Sequence, residues 1–420
     1  MYCLSVPTIS EPISVCRICK VSALEQLIDF GQIALTGVFY ENGRDVKRAP
    51  LLLDRCTNCG LVQLGHNYSH TELYGSSYGY ESHLNMSMVK HLQSKAQTLE
   101  RRYLMHIKDP VVVDIASNDG TLLAGYASSN IFRIGIDPLI NVVSDHYPKN
   151  SKKINSFFSS ETYWKCHDSQ ANLVTSLSVL YDLEDPVSFA SQIFEILADE
   201  GIWHFEQSYL PMMLQTSSYD TICHEHLLYL SLNDIMKVLN QTGFQLKSAS
   251  VNNINGGSLS VTAIKSKNMH PASPFVEFLL RQEVENGILD GRQIKSFVES
   301  FQIHSKNFKN LISNYKDKGF DVVGLGASTK GNTLIQLSGL SNSDIRVIGE
   351  VNPRKFSKQT PGSAILIVPE DDIVLNATEK TIAIVFPWHF RENLLEKLHG
   401  YLNAGGKLLF PLPQIEVVEV

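Results

Sequence analysis

No apolar run in this 420-residue chain approaches the roughly 18–20 residues that span a bilayer, which argues against a membrane partner. The opening stretch, MYCLSVPTISEPISVC, has neither the basic start nor the apolar core of a secretory signal. The cytosol is therefore the expected compartment, and disulfides are an unexpected use of its cysteines. No dense Lys/Arg block is present, and the net charge is −7. Such a chain creates no global field that attracts a polyanion, so nucleic acid is not an expected partner. A length prior of about 150 residues per domain suggests two or three domains.

Four of the seven cysteines fall into two C-x-x-C pairs, Cys16/Cys19 and Cys56/Cys59. Each such turn lets two thiolates converge on one ion, and two turns supply the four soft ligands of a tetrahedral zinc site. With four Cys ligands no position stays open for substrate, so the metal is expected to be structural. The 36 residues between Cys19 and Cys56 exceed the spacing of a small zinc ribbon and must carry structure of their own. Four unrelated thiols, or a redox pair, are the bland alternative.

A tyrosine-rich link, YGSSYGYESHLNMSMVKHLQ, leads to PVVVDIASNDGTLLAGYA. The β-branched run Val111 to Ile115, a small-residue loop to Gly120 and an apolar-periodic helix after it open a doubly wound α/β domain. Ligands in such domains lie beyond the carboxyl ends of the strands. FRIGIDP predicts a second strand ending in Asp137, whose carboxylate suits a ribose diol, and NLVTSLSVL a third. The loop lacks the G-x-G-x-x-G spacing of a pyrophosphate site, which points to adenosine without phosphates, as in S-adenosylmethionine. Further on, GIWHFEQSYL reads as a buried strand ending at Glu206, and FQLKSASVNNINGGSLSVTAIK as a closing hairpin. Residues 270–318 carry helical periodicity and predict a pair of connecting helices.

The last block repeats the α/β logic. FDVVGLGASTKGNTL gives strand, Gly-rich loop and helix; IRVIGEVNP gives a second strand ending at Glu350, and KTIAIVFPW a third. The loop around Ser328 and Lys330 offers N–H groups, a hydroxyl and a cation to an anion, although a loop that merely caps its helix is the structural alternative. It is not a Walker A motif, because the required spacing is absent.

Between the two α/β blocks stands CHEHLLY, with His224, Glu225 and His226. A zincin places its histidines at i and i+4, whereas these are two apart, so a general base is preferred over a metal site. A core-satisfied pair is the structural alternative. In one order, the paired C-x-x-C turns, YGY, DIASNDGTLL, FEQSYL, HEHLLY, GGSL, GLGASTKGNTL, NPRKFSKQTPG and GGKLLFPLP resemble the three-domain, zinc-containing, S-adenosylmethionine-dependent sugar C-methyltransferases that act on nucleotide-linked 4-keto-deoxysugars.

That resemblance implies an α/β architecture: an N-terminal zinc-binding domain (1–75), a central doubly wound methyltransferase domain (76–266) and a C-terminal Rossmann-like, nucleotide-sugar-binding domain (267–420). It implies two cofactors, S-adenosylmethionine and Zn2+, with Cys16, Cys19, Cys56 and Cys59 as metal ligands. Methylation at the carbon beside the ketone needs a base, stabilisation of an enolate and an aligned methyl donor. His226 is the implied base, with Glu225 supporting it or contacting the sugar, and Tyr78 and Tyr80 closing over the site. Asp114, Ser117, Asn118, Gly120 and Asp137 would hold the donor. His224, Glu206, Ser328 and Lys330 would contact the substrate. Two positions depart from the family pattern: Cys223 replaces a tyrosine before H-E-H, and Tyr181 replaces a histidine. The first removes a phenol; the second is expected near the donor pocket without being chemically essential. O-methylation on the same scaffold, or a silent nucleotide-sugar-binding protein, are the competing readings.

Overall fold

The computed structural model describes residues 9–41, 46–74, 80–143 and 146–420. Tyr78 lies outside the described residues. Among those described, no helix is long and apolar enough to cross a membrane.

The N-terminal part is an antiparallel sheet built on Leu24–Ala34, Arg48–Cys56 and Val62–Leu64. Each C-x-x-C pair forms a tight knuckle at the edge of this sheet. Lys20 N donates to Cys16 O (2.9 Å) and Gly60 N to Cys56 O (2.8 Å), and both Lys20 and Gly60 take left-handed φ (59° and 87°). The long insert between the pairs is thus two long strands of the sheet. Its fourth strand, Leu228–Tyr229, comes from far along the chain and pairs with Val62–Leu64. The H-E-H segment is therefore sewn into the first sheet, although the sequence places it inside the second block.

The central sheet has seven strands, ordered Gln245–Asn252, Ser258–Ile264, Leu197–Ser208, Ala171–Leu177, Val111–Ile115, Phe132–Ile136, Ser151–Ile154. The last five are parallel, and the hairpin strand Ser258–Ile264 is antiparallel to both of its neighbours. Chain order reverses beside Val111–Ile115, which puts the crevice of a doubly wound sheet at its carboxyl end. All five residues of that strand are buried, as a strand covered on both faces requires.

One expected element is absent: no α-helix follows Gly120, only a single 3₁₀ turn at Leu123–Gly125. The physical reason lies in the tyrosine-rich link, whose second half forms the helix Met86–Leu99 and takes that place on the sheet. A Cβ on Gly125 would meet Ala96 Cβ at 2.8 Å, so the two backbones are in close contact. The Glu100 carboxylate then accepts from Ala127 N and Ser128 N (2.7 and 2.9 Å) and diverts the chain.

The expected connecting helices are Pro274–Glu285 and Arg292–Asp317. The final sheet is ordered Leu366–Pro369, Val347–Glu350, Asp321–Leu325, Thr381–Val385, Lys407–Phe410, Glu416–Val418, parallel but for the last strand. Its order also reverses beside its first strand, so its crevice lies at the loop Gly326–Ser328. One hydrophobic cluster runs through all three sheets, from Leu51 and Leu53 through Trp203 and Phe205 to Ile382 and Phe386.

Candidate active site

The four cysteine sulfurs lie within 4.8 Å of one another, with Cys16–Cys59 and Cys19–Cys56 each at 3.6 Å. A zinc ion with bonds of about 2.3 Å sets tetrahedral sulfurs about 3.8 Å apart, so these thiols fit that ion and leave it no open position.

The H-E-H turn sits where the three sheets meet. His226 N closes the turn on Cys223 O (3.1 Å), and His226 Nδ1 lies 2.8 Å from Thr221 O. A carbonyl only accepts, so Nδ1 carries the proton and Nε2 keeps its lone pair. His226 remains partly accessible while Thr221 to Glu225 and Leu227 to Leu230 are buried. Burial lowers its pKa to about 4, with Lys330 adding to the effect and the Thr221 carbonyl opposing it. The ring is neutral at pH 7, as a base must be. The Tyr181 ring packs against it edge-on, with centroids 4.4 Å apart.

The two histidines diverge. His224 is fully buried; its Nε2 donates to Ala49 O (3.3 Å) and its ring meets Tyr68 at 4.8 Å. It packs against the first sheet, so the residue expected on the substrate is placed inside that packing. The turn is the reason, because two residues apart share a side only in extended backbone. Glu225 points a third way: its Oε2 accepts from Thr36 Oγ1 (3.1 Å), and burial raises its pKa. A Cβ on Gly37 would stand 2.3 Å from Glu225 Oε1, so a larger residue there would displace the carboxylate.

The loop Ala34–Gly37 is clamped from the other side by the helix Thr329–Leu337. Asn332 Nδ2 donates to Thr36 O (2.7 Å), while Gln336 exchanges bonds with Ala34 N and O (2.9 and 3.2 Å). Ser328 is the N-cap of this helix, its Oγ accepting from Gly331 N (3.0 Å). Lys330 Nζ donates to Asn255 O (2.6 Å) and faces Asp220, Cys223 and His226. The cation expected on a phosphate thus stands beside the H-E-H turn.

At the carboxyl ends of the central strands, Ala116, Asn118 and Gly120 have φ of 55°, 48° and 86°, a backbone that turns sharply over the strand ends. Asp137 accepts one N–H on each oxygen, from Asn118 (2.9 Å) and Leu139 (2.7 Å). Asp114 accepts from Thr175 Oγ1 (2.6 Å), and burial pushes its pKa up to about 7. Ser117 Oγ lies 2.5 Å from Tyr147 OH. Asn118 Nδ2 donates to Tyr80 O and Asn118 Oδ1 accepts from Ser82 N, both at 3.1 Å, so the link closes over the loop. Tyr80 is 46% exposed at this rim.

Glu206 is engaged elsewhere: His91 Nε2 (2.6 Å), Lys95 Nζ (2.8 Å) and Asn252 Nδ2 (2.7 Å) saturate its carboxylate and hold its pKa well below the usual range. The carboxylate expected to contact substrate is placed in ion pairs with the helix Met86–Leu99. Sequence reasoning missed Asp119, which accepts from Thr121 and His83, and Asp220, which accepts from Trp388 Nε1 (2.8 Å). No spacing rule joins Asp220 to residue 388; only the fold does.

Residues 16–74 match the family described as a zinc binding domain, residues 88–249 that described as a methyltransferase domain, and residues 253–413 the C-methyltransferase C-terminal domain. C-methyltransferase NovU of Streptomyces niveus is 25% identical over 415 residues, 98% of each chain. Among solved structures, the CurJ carbon methyltransferase is 11% identical over 44% of this chain and 57% of that one, with a TM-score of 0.34. The N-methyltransferase NodS of Bradyrhizobium japonicum is 13% identical over 42% of this chain and 96% of that one, with a TM-score of 0.32.

Proposed function

For this three-domain, zinc-containing, S-adenosylmethionine-dependent C-methyltransferase, we propose that the methyl acceptor is the carbon beside the ketone of a nucleotide-linked 4-keto-deoxysugar. The observation that carries this reading is the fixed tautomer of His226. Its Nδ1–H is tied to a backbone carbonyl, its Nε2 keeps its lone pair, and the partly accessible ring lines a small cavity with Tyr181, Ser208 and Tyr229.

The donor, when bound, supplies an electrophilic methyl group. Asp114, Asp119 and Asp137 gather three carboxyl groups around the loop at the strand ends, which fits a ligand bearing sulfonium and ammonium charge and a ribose diol. After accepting their N–H bonds the Asp137 oxygens retain lone pairs for the diol. Asn118 and Gly120 shape the loop, and Ser117 orders it through Tyr147.

His226 Nε2 removes the proton alpha to the ketone, and Glu225, anchored on Thr36, fixes the turn that aims it. Lys330 places a cation beside the developing negative charge. Ser328 caps the helix at whose N-terminus the diphosphate would rest. Tyr78 and Tyr80, in the link over the donor loop, are proposed to close the cleft. A reducing cytosol suits the reading, since zinc requires the four thiols free.

Incubation with labelled methyl donor and a panel of nucleotide-linked 4-keto-deoxysugars, followed by NMR, tests it. The expected product carries the new methyl on carbon with every hydroxyl free. His226→Ala should abolish deuterium exchange at that carbon while leaving affinity for S-adenosylhomocysteine within about three-fold. Methyl found on oxygen, or exchange that survives His226→Ala, would contradict the reading.

A further inference from the structure

An enolate oxygen needs a hydrogen-bond donor in a dry site, and removing one such donor costs about 100- to 1,000-fold in rate. The residue directly before H-E-H offers none of use. Cys223 is fully buried, and burial together with Glu225 and Asp182 raises its thiol pKa well above normal. A neutral thiol is a weak donor.

A phenol stands beside His226 instead. Tyr181 follows the strand Ala171–Leu177, the direct neighbour of the strand that carries the donor loop. Its ring lies edge-on to His226 with centroids 4.4 Å apart, and both line one small cavity with Ser208, Thr221 and Tyr229. The hydroxyl is near Ser178, an exposed residue held at φ 59° just beyond the strand's carboxyl end, and near Cys223 and Tyr80. That is the edge of the crevice where a doubly wound sheet meets its ligand. Burial keeps this phenol protonated across the working range of pH, so it donates and does not ionise.

Resting on the function proposed above, we propose that Tyr181 is a catalytic residue whose hydroxyl donates a hydrogen bond to the enolate oxygen, in place of the phenol that Cys223 lacks. His226 Nε2 takes the alpha proton, and the C–H electron pair becomes the C=C bond of the enolate. The carbonyl π pair moves onto oxygen, where the Tyr181 O–H holds it by hydrogen bond without giving up its proton. The enolate carbon then forms a bond to the methyl group as the sulfur–methyl bond breaks and its electron pair stays on sulfur. The ketone re-forms, and His226 releases its proton to solvent. The two departures from the family pattern, at neighbouring positions 181 and 223, are thereby one compensated exchange.

The test uses the full zinc-loaded chain with a thymidine-diphosphate-linked 4-keto-6-deoxyhexose as probe, and its guanosine-diphosphate counterpart beside it. Tyr181→Phe keeps the ring against His226 and removes only the hydroxyl. It is expected to lower both alpha-deuterium exchange and kcat by about 100-fold, with KM and affinity for S-adenosylhomocysteine within about three-fold. The double variant Tyr181→His with Cys223→Tyr moves the phenol to position 223 and should recover at least about ten-fold over Tyr181→Phe. If wild type exchanges the probe and Tyr181→Phe does so within about three-fold of it, the role of Tyr181 is overturned while the sugar reading stands. If wild type neither exchanges nor methylates either probe, the sugar reading falls and this inference with it. Loss of S-adenosylhomocysteine binding in Tyr181→Phe would assign the hydroxyl to the donor pocket instead.

Discussion

His226 shows how a single carbonyl can set the chemistry of a side chain. Thr221 O holds the Nδ1 proton, and burial keeps the imidazole neutral with a pKa of about 4. The rate of alpha-proton exchange should therefore show no acid limb near the ordinary histidine value, and should decline only below about pH 5. Stability follows a different profile. A histidine whose folded pKa lies below its unfolded value binds fewer protons in the folded chain between the two, so acid favours unfolding there. His226 and His224, both lowered to about 4, and His204, lowered to about 3, all act in this sense. Their contribution is complete above about pH 6.5 and is lost as the pH falls through the folded values. Thermal melts from pH 7.5 to about 5 should show the midpoint falling while the exchange rate, read below the melt, holds. An activity limb centred near pH 6.5 in the folded protein would show the ring to be solvated.

At the scale of elements, the two cysteine knuckles hold the first sheet, and that sheet carries the loop Ala34–Gly37 to the back of Glu225. The metal site is thereby linked structurally to the H-E-H turn. Cys56→Ser leaves three ligands and should lower metal content by at least half, as read by atomic absorption. Loss of a structural metal belongs to the changes that cost upwards of about 4 kcal/mol in the unit that holds it. Methyl transfer should fall with the metal, whereas S-adenosylhomocysteine binding, proposed to rest on the central sheet, should stay within several-fold. Loss of donor binding in parallel with zinc would mean that the central sheet does not stand without the first.

Across the whole molecule, the H-E-H turn is held by all three sheets. Leu228–Tyr229 completes the first sheet, Tyr181 packs on His226 from the central one, and Asn332 and Gln336 clamp Ala34 and Thr36 from the last. Asn332→Ala leaves the buried Thr36 carbonyl without its donor, at a cost of about 1–3 kcal/mol. A denaturant midpoint measures that cost. Because the loop backs Glu225, kcat should fall by more than ten-fold, while KM for the methyl donor stays near wild type. Equal losses in both parameters would place the clamp at the donor site.

Much of this was legible in one dimension. The two C-x-x-C pairs pointed to the metal site because each short turn can converge two sulfurs, and the fold brings all four together. Val111–Ile115 and Asp321–Leu325 declared buried parallel strands, since β-branched runs ending in small-residue loops have few other uses. The sequence misplaced the helix after Gly120, because the Met86–Leu99 helix packs there from earlier in the chain. Local pattern thus determined strands, caps and metal ligands, whose causes lie within a few residues. Where His224, Glu206 and Lys330 would point was decided only when the three sheets closed, because a buried side chain takes its partners from distant elements that spacing does not encode.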